Sequence, residues 1–174
     1  KQVSVRPPAL VKSEAQLARD LHKFWQQNHS KPEYRGVEVY LLRNLSQTGI
    51  RLFGQSGFYP DFILWLVRGK ATHVRFLDPH GLHHGGLTED SKNRDKLAVL
   101  AKLVELGNRP DFLAKQLTVD GLILADTPTG SIPGAETMTW AELEAKYPGL
   151  VHQDGGRRYC ERLLGPLGGV LNGC

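Results

Sequence analysis

The sequence predicts an α/β fold, a mixed β-sheet with helices on its faces, and three observations predict it. Apolar residues recur at helical spacing in two stretches, one starting at Ser13 and one running from about Asp90 or Ser91 to Leu106. Between them lie three β-rich runs, Val37–Asn44, Phe62–Val67 and Ala71–Leu77, and a short buried run, Val119–Ala125, follows the second helix. The order is therefore helix, strand, strand, strand, helix, strand, with further pieces at the C-terminal end.

Each element has a local reason. Lys1–Val11 reads as an arm or linker remnant, so residues 1–12 are set apart from the folded core. Ser13 is a good N-cap, and Gln16 three residues on completes a capping box. Leu17, Leu21, Phe24 and Trp25 then make an apolar stripe that must pack on something. Glu14 sits in the first turn, where a carboxylate complements the helix dipole. Asn28–Gly36 is a polar connection, and Leu45–Tyr59 is loop-like, with a short strand suggested around Ile50–Phe53.

In the second helix Leu97, Leu100, Leu103 and Val104 share a face and Gly107 reads as the stop. Thr127–Gly134 is a loop. Thr139 with Glu142 forms a capping box opening a short helix up to Tyr147-Pro148. Arg157–Leu164 reads as a last amphipathic helix, and the Gly-rich end Gly165–Cys174 as frayed. The stretch 128–174 is thus expected to be a helical extension of the same domain.

The hairpin carries the chemistry. Arg68-Gly69-Lys70 is a turn-like break, and a two-residue loop Gly69-Lys70 of type II′ puts Asp61 directly opposite Asp78. Alternation then gives one face with Asp61, Ile63, Trp65 and Val67 against Asp78, Phe76, Val74 and Thr72. Two carboxylates at one end of a buried hairpin must repel, shift their pKa values or share a cation. Mg²⁺, or Mn²⁺, suits such a pair, because it takes oxygen ligands and engages phosphates. The plainer account is that each Asp merely borders a turn, where Asp is common.

The whole chain sets bounds on function. Its 174 residues make one ordinary domain, and no apolar run approaches membrane-spanning length. The only methionine is Met138, which suggests a domain excised from something longer, and no signal peptide is evident at the polar start. Cys160 and Cys174 suggest no disulfide framework and a reducing, cytoplasmic setting. A net charge of +4 and a pI near 9.1 lean toward an anionic partner such as nucleic acid.

Pro-Asp opening the second strand, with FYPDFILWL before the turn and VRFLDPHGL after it, resembles the PD-(D/E)xK nuclease superfamily. It is similar in particular to the C-terminal nuclease domain of DEAD/DEAH-box helicases and type III restriction-type proteins. The preceding YLLRN and the later buried strand with its Asp fit the same pattern. The resemblance covers about Ser13 to Thr127 and is most specific around Phe58–Leu82.

It implies a restriction-endonuclease-like αβββαβ core over residues 13–127 and a metal-dependent endonuclease hydrolysing DNA phosphodiester bonds. It further implies Asp61, Asp78 and Glu14 as the acidic, metal-binding set, and a helicase/ATPase region in the parent polypeptide of a phage-defence or restriction system. The family's lysine position is His80 here, a departure. Histidine can donate a hydrogen bond or act as a base near neutral pH, and Lys92 or Lys96 on the second helix is a substitute source of positive charge. Arg43, Arg94 and Lys96 are candidates for DNA-backbone contacts. No Gly-rich phosphate loop occurs in the chain. Two other readings stand beside this one. The fold can serve as a catalytically weakened DNA-binding or docking module, or His80, His83 and His84 can hold a transition metal.

Overall fold

The expected hairpin lies at the middle of the sheet. The computed structural model describes residues 9–45, 49–52 and 58–165. In chain order the elements are α1 (Lys12–Asn28), β1 (Val37–Arg43), β2 (Phe62–Arg68), β3 (Ala71–Pro79) and α2 (Lys92–Gly107). They continue with α3 (Pro110–Leu113), β4 (Leu117–Ala125), α4 (Trp140–Lys146), β5 (Leu150–His152) and α5 (Arg157–Leu164). The strands form one mixed, open five-stranded sheet in the order β1-β2-β3-β4-β5, with β1, β2 and β3 antiparallel and β3, β4 and β5 parallel.

Arg68 pairs with Ala71, so the loop is Gly69-Lys70 as the turn chemistry required. Gly69 has φ +59, while Gln116 is the one non-glycine with positive φ among the described residues; positive φ at the first loop position alone is the type II′ pattern. β2 is buried on both faces through its first half. Phe62, Leu64 and Leu66 join Leu17, Leu21 and Phe24 of α1 and Tyr159 and Leu163 of α5 in one core. Ile63 and Phe76 join Leu100 of α2 and Leu143 of α4 in the other. The molecule is therefore an α/β sandwich with the sheet between two helical layers. Among the described residues no helix is long and apolar enough to cross a membrane.

Several expectations need correction. Helix α1 starts earlier than Ser13: Val11 is the N-cap, and Glu14, at the third helical position, accepts the Val11 N–H at 3.2 Å. Ser13 is released for a tertiary contact and Gln16 bonds to Asp20 instead. β1 ends at Arg43, because Asn44 turns its side chain back onto the loop. In α2, Val104 is 47% exposed while Leu100 is buried. The C-terminal stretch is more than a helical extension, since β5 completes the sheet and Val151 joins the α1 core. The Ile50–Phe53 strand reduces to a bridge between Leu52 and Phe58, and Phe53 lies outside the described residues. So do all but the first residue of Gly165–Cys174, Cys174 included; Cys160 is a free, buried thiol.

Gly107 does not stop α2; it is the last helical residue, with Asn108 as the C-cap. Its role is close approach, because a Cβ there would lie 2.5 Å from the Val119 carbonyl oxygen of β4. Alanine would gain about 1 kcal/mol of helix propensity. The contact is with backbone, however, so α2 would have to lift off the sheet, at a cost of about 1–3 kcal/mol that the propensity gain only partly offsets. Gly107→Ala should therefore destabilise the chain in urea melts, whereas propensity alone predicts the opposite sign.

Candidate functional site

The site forms where β2 begins and β3 ends. Asn44 anchors the approach: its backbone N–H donates to Asp61 O at 2.7 Å, and its side-chain amide donates to Pro60 O and Ile50 O, each at 2.8 Å. This presents Asp61 one residue ahead of the Phe62–Leu77 pair. Asp78 is 4% exposed. The Phe62–Leu77 register sets Asp61 opposite Asp78, and the charge of Asp78 acts on Asp61.

Their surroundings differ, and so do their affinities for a proton. Asp61 is pushed up to about 7, first by burial, then by the charges of Asp78 and Glu14. Burial also works against the Asp78 anion, but the hydrogen bond and charge of His80, together with the Lys96 ammonium, outweigh it and hold Asp78 below its ordinary value. Lys96 Nζ lies 2.7 Å and His80 Nδ1 2.9 Å from Asp78 Oδ2. Of the two acids, Asp78 keeps the charge near neutral pH and Asp61 takes the proton.

His80 is fixed from both ends. Its Nε2 meets Asn93 Oδ1 at 2.9 Å, and Asn93, buried on α2, donates its own amide to Gly86 O. The backbone of His80 continues the ladder by donating to Leu124 O. Burial lowers the His80 pKa, but the Asp78 hydrogen bond and charge reverse that and leave it raised.

Glu14 stands at the edge of this group, 7% exposed, with Arg43 Nη2 3.1 Å from its Oε2. It therefore caps α1, pairs with Arg43 and adds negative charge to Asp61 at once. Ser13 Oγ donates to Pro79 O at 2.8 Å, tying the start of α1 to the end of β3.

Of the basic residues considered for DNA contacts, Lys96 lies at the carboxylates, with its ammonium also 5.0 Å from the Phe58 ring centroid. Arg43 reaches the cluster through Glu14. Arg94 instead lines a cavity between α2 and the Tyr147–Gly149 turn. His83 and His84 are exposed, and both nitrogens of His80 already face Asp78 and Asn93, so the three imidazoles share no ligand. Among the described residues no three His, Cys, Asp or Glu side chains are grouped to hold a metal ion.

The donor chemistry nevertheless suits a hard divalent cation. Two facing carboxyls offer oxygen donors that a divalent cation can share in place of the proton on Asp61. Mg²⁺ is commonly held by only one or two carboxylates, the rest of its shell being water and phosphate.

Reading the sequence missed Asn93 and did not foresee that Lys96 bonds Asp78 directly. Their spacing on α2 was the available signal, since residues three apart share a helix face. No protein-family model matches the chain, and neither a curated protein nor a solved structure is significantly similar to it.

Proposed function

We propose that the chain is a Mg²⁺- or Mn²⁺-dependent nuclease module with a restriction-endonuclease-like core, hydrolysing phosphodiester bonds in DNA within a larger helicase- or restriction-type protein. The observation that carries this reading is the meeting of Asp61 and Asp78 across the hairpin, with Lys96 Nζ 2.7 Å from Asp78. The PD-(D/E)xK-like wording of the hairpin and the net charge of +4 support it.

Asp61 and Asp78 would bind the cation, with Glu14 contributing charge through Asp61. When bound, such an ion neutralises phosphate charge and acidifies a coordinated water. Lys96 takes over the task of the family's lysine: its ammonium, held against Asp78 and Phe58, is placed to stabilise negative charge on the phosphate. His80, with one ring nitrogen on Asp78 and the other on Asn93, is left to hold the Asp78 carboxylate in place. The departure at His80 is thereby compensated from α2 rather than left open.

A second reading rests on the double engagement of Asp78 Oδ2. Lys96 and His80 both sit on that oxygen, and a locked carboxylate of this kind suits a DNA-binding module without catalysis.

Plasmid nicking in Mn²⁺ separates the two. Wild type should nick, Asp78→Ala should not, and Lys96→Met should lose about 100-fold or more, as removal of a transition-state charge partner does. His80→Lys should keep most of the activity, because the phosphate charge is met from α2. If neither wild type nor Asp78→Ala cuts while both retard DNA in a gel, the binding module is the correct reading.

A further inference from the structure

A second feature lies on the α2 side of the sheet, lined by none of the residues of the carboxylate cluster. A cavity of about 510 Å³ runs between Leu97, Ala101 and Val104 of α2 and the Tyr147–Pro148–Gly149 turn, with Asp120–Leu122 of β4 along it. That size is in the range of small-molecule sites, which pair apolar walls with a few placed polar groups.

The polar groups here are donors and cations. Leu124 O accepts from His80 N and Gln116 O from Thr72 N, both toward β3. Even-numbered residues of this run therefore turn their backbone groups to β3, and odd-numbered ones turn away from it. On that far side Ile123 N–H donates to Gly149 O. Gly121 N–H points the same way, but β5 begins only at Leu150, and Tyr147 O accepts from Leu150 N instead. Gly121 is buried, and no acceptor among the described residues reaches its N–H. A buried backbone donor without a partner is costly and calls for one.

Arg94 and Lys146 also line the cavity, and neither has a carboxylate partner among the described residues. The one acid in the lining, Asp120, has its carboxylate bonded to Arg75 and His73.

We propose that this cavity binds a small amphipathic carboxylate, its apolar body against Leu97, Leu100 and Tyr147 and its anionic group answered by Arg94, Lys146 and the Gly121 N–H. The site is separate from the proposed nuclease centre and does not depend on it.

Titrating ¹⁵N-labelled chain with naphthalene-2-carboxylate tests the assignment. The Gly121 amide should shift saturably, and Ala101→Trp, which fills the cavity from α2, should abolish the shift. Arg94→Gln with Lys146→Gln should weaken binding by about tenfold or more, the usual loss when charge-assisted hydrogen bonds go. The neutral naphthalene-2-carboxamide should weaken to the same extent. No saturable shift at Gly121 at millimolar probe overturns the site. Equal binding by the neutral amide, or by the double variant with its amide spectrum intact, overturns the anionic class.

Discussion

Asp61→Asn is expected to stabilise the metal-free chain at pH 8 by about 2 kcal/mol while abolishing the proposed cleavage. The Asp61 carboxyl is raised to about 7 in the folded chain, against the ordinary 3.8 of an aspartic acid. A raised carboxyl makes its contribution below the unfolded pKa and loses it as pH rises through the folded one. Stability therefore falls between about pH 4 and pH 7, where the unfolded chain gives up a proton that the folded chain still holds. The full shift corresponds to about 4 kcal/mol, and partial solvent exposure of the side chain roughly halves it.

Asparagine carries no charge to repel, so the pH dependence in that window should flatten. A divalent cation reverses the comparison. At about 100 times its dissociation constant it should stabilise wild type by about 2.7 kcal/mol and leave Asp61→Asn nearly unmoved. Thermal melts at pH 5 and pH 8, with and without Mg²⁺, read all of this. A variant no more stable than wild type at pH 8, with equal metal response, would remove the physical basis of the carboxylate pair.

The hairpin was legible because two independent constraints agreed. Gly at the first loop position selected a two-residue turn, and alternation then fixed which side chains share a face. α5 was legible for a similar reason, its apolar and charged residues falling at a clean helical period. Other features depend on contacts that no local rule encodes. Val11 has no capping chemistry of its own, so the true start of α1 was hidden; it begins there because Glu14 bonds back and Ser13 is held by Pro79. β5 is three residues long, too short to show alternation. Asp78 and Lys96 meet only after α2 docks on β4, which requires Gly107 against Val119. The charge partner of Asp78 was thus a packing outcome, whereas the facing of Asp61 and Asp78 was a register outcome.

The same distinction applies to a densely bonded polar group among the described residues, which takes no part in the proposed chemistry. Arg75 is 4% exposed on the α5 side of β3. Its Nε and Nη2 grip Asp120 at 2.7 and 2.6 Å, and its Nη1 donates to Arg162 O at 2.7 Å and Leu163 O at 2.5 Å. His73 completes the set, with Thr118 Oγ1 at 2.7 Å and Asp120 Oδ1 at 3.2 Å. One side chain therefore links β3 to β4 and to two carbonyls at the end of α5, Leu163 O and Arg162 O, the second of which also accepts from the Gly165 N–H. Burial works against the Asp120 charge, but the hydrogen bonds from Arg75 and His73 more than offset it and hold its pKa far below the usual range.

Arg75→Met keeps the volume and removes every one of those bonds. It should cost about 3–5 kcal/mol, the range for breaking a buried pair at one end. Asp120 would then be left half-buried with only His73. Its lowered pKa contributes stability above the unfolded value and loses it as pH falls through the folded one. With Arg75 gone, the acid unfolding midpoint should move to higher pH. Arg75→Met with Asp120→Leu should recover much of the loss, since two apolar groups in place of a buried pair leave no orphaned charge. Urea melts at pH 4 and pH 7 on the two variants measure both effects. If the double variant is as unstable as the single one, the cost lies in the lost Arg75 bonds to the α5 carbonyls rather than in the stranded carboxylate.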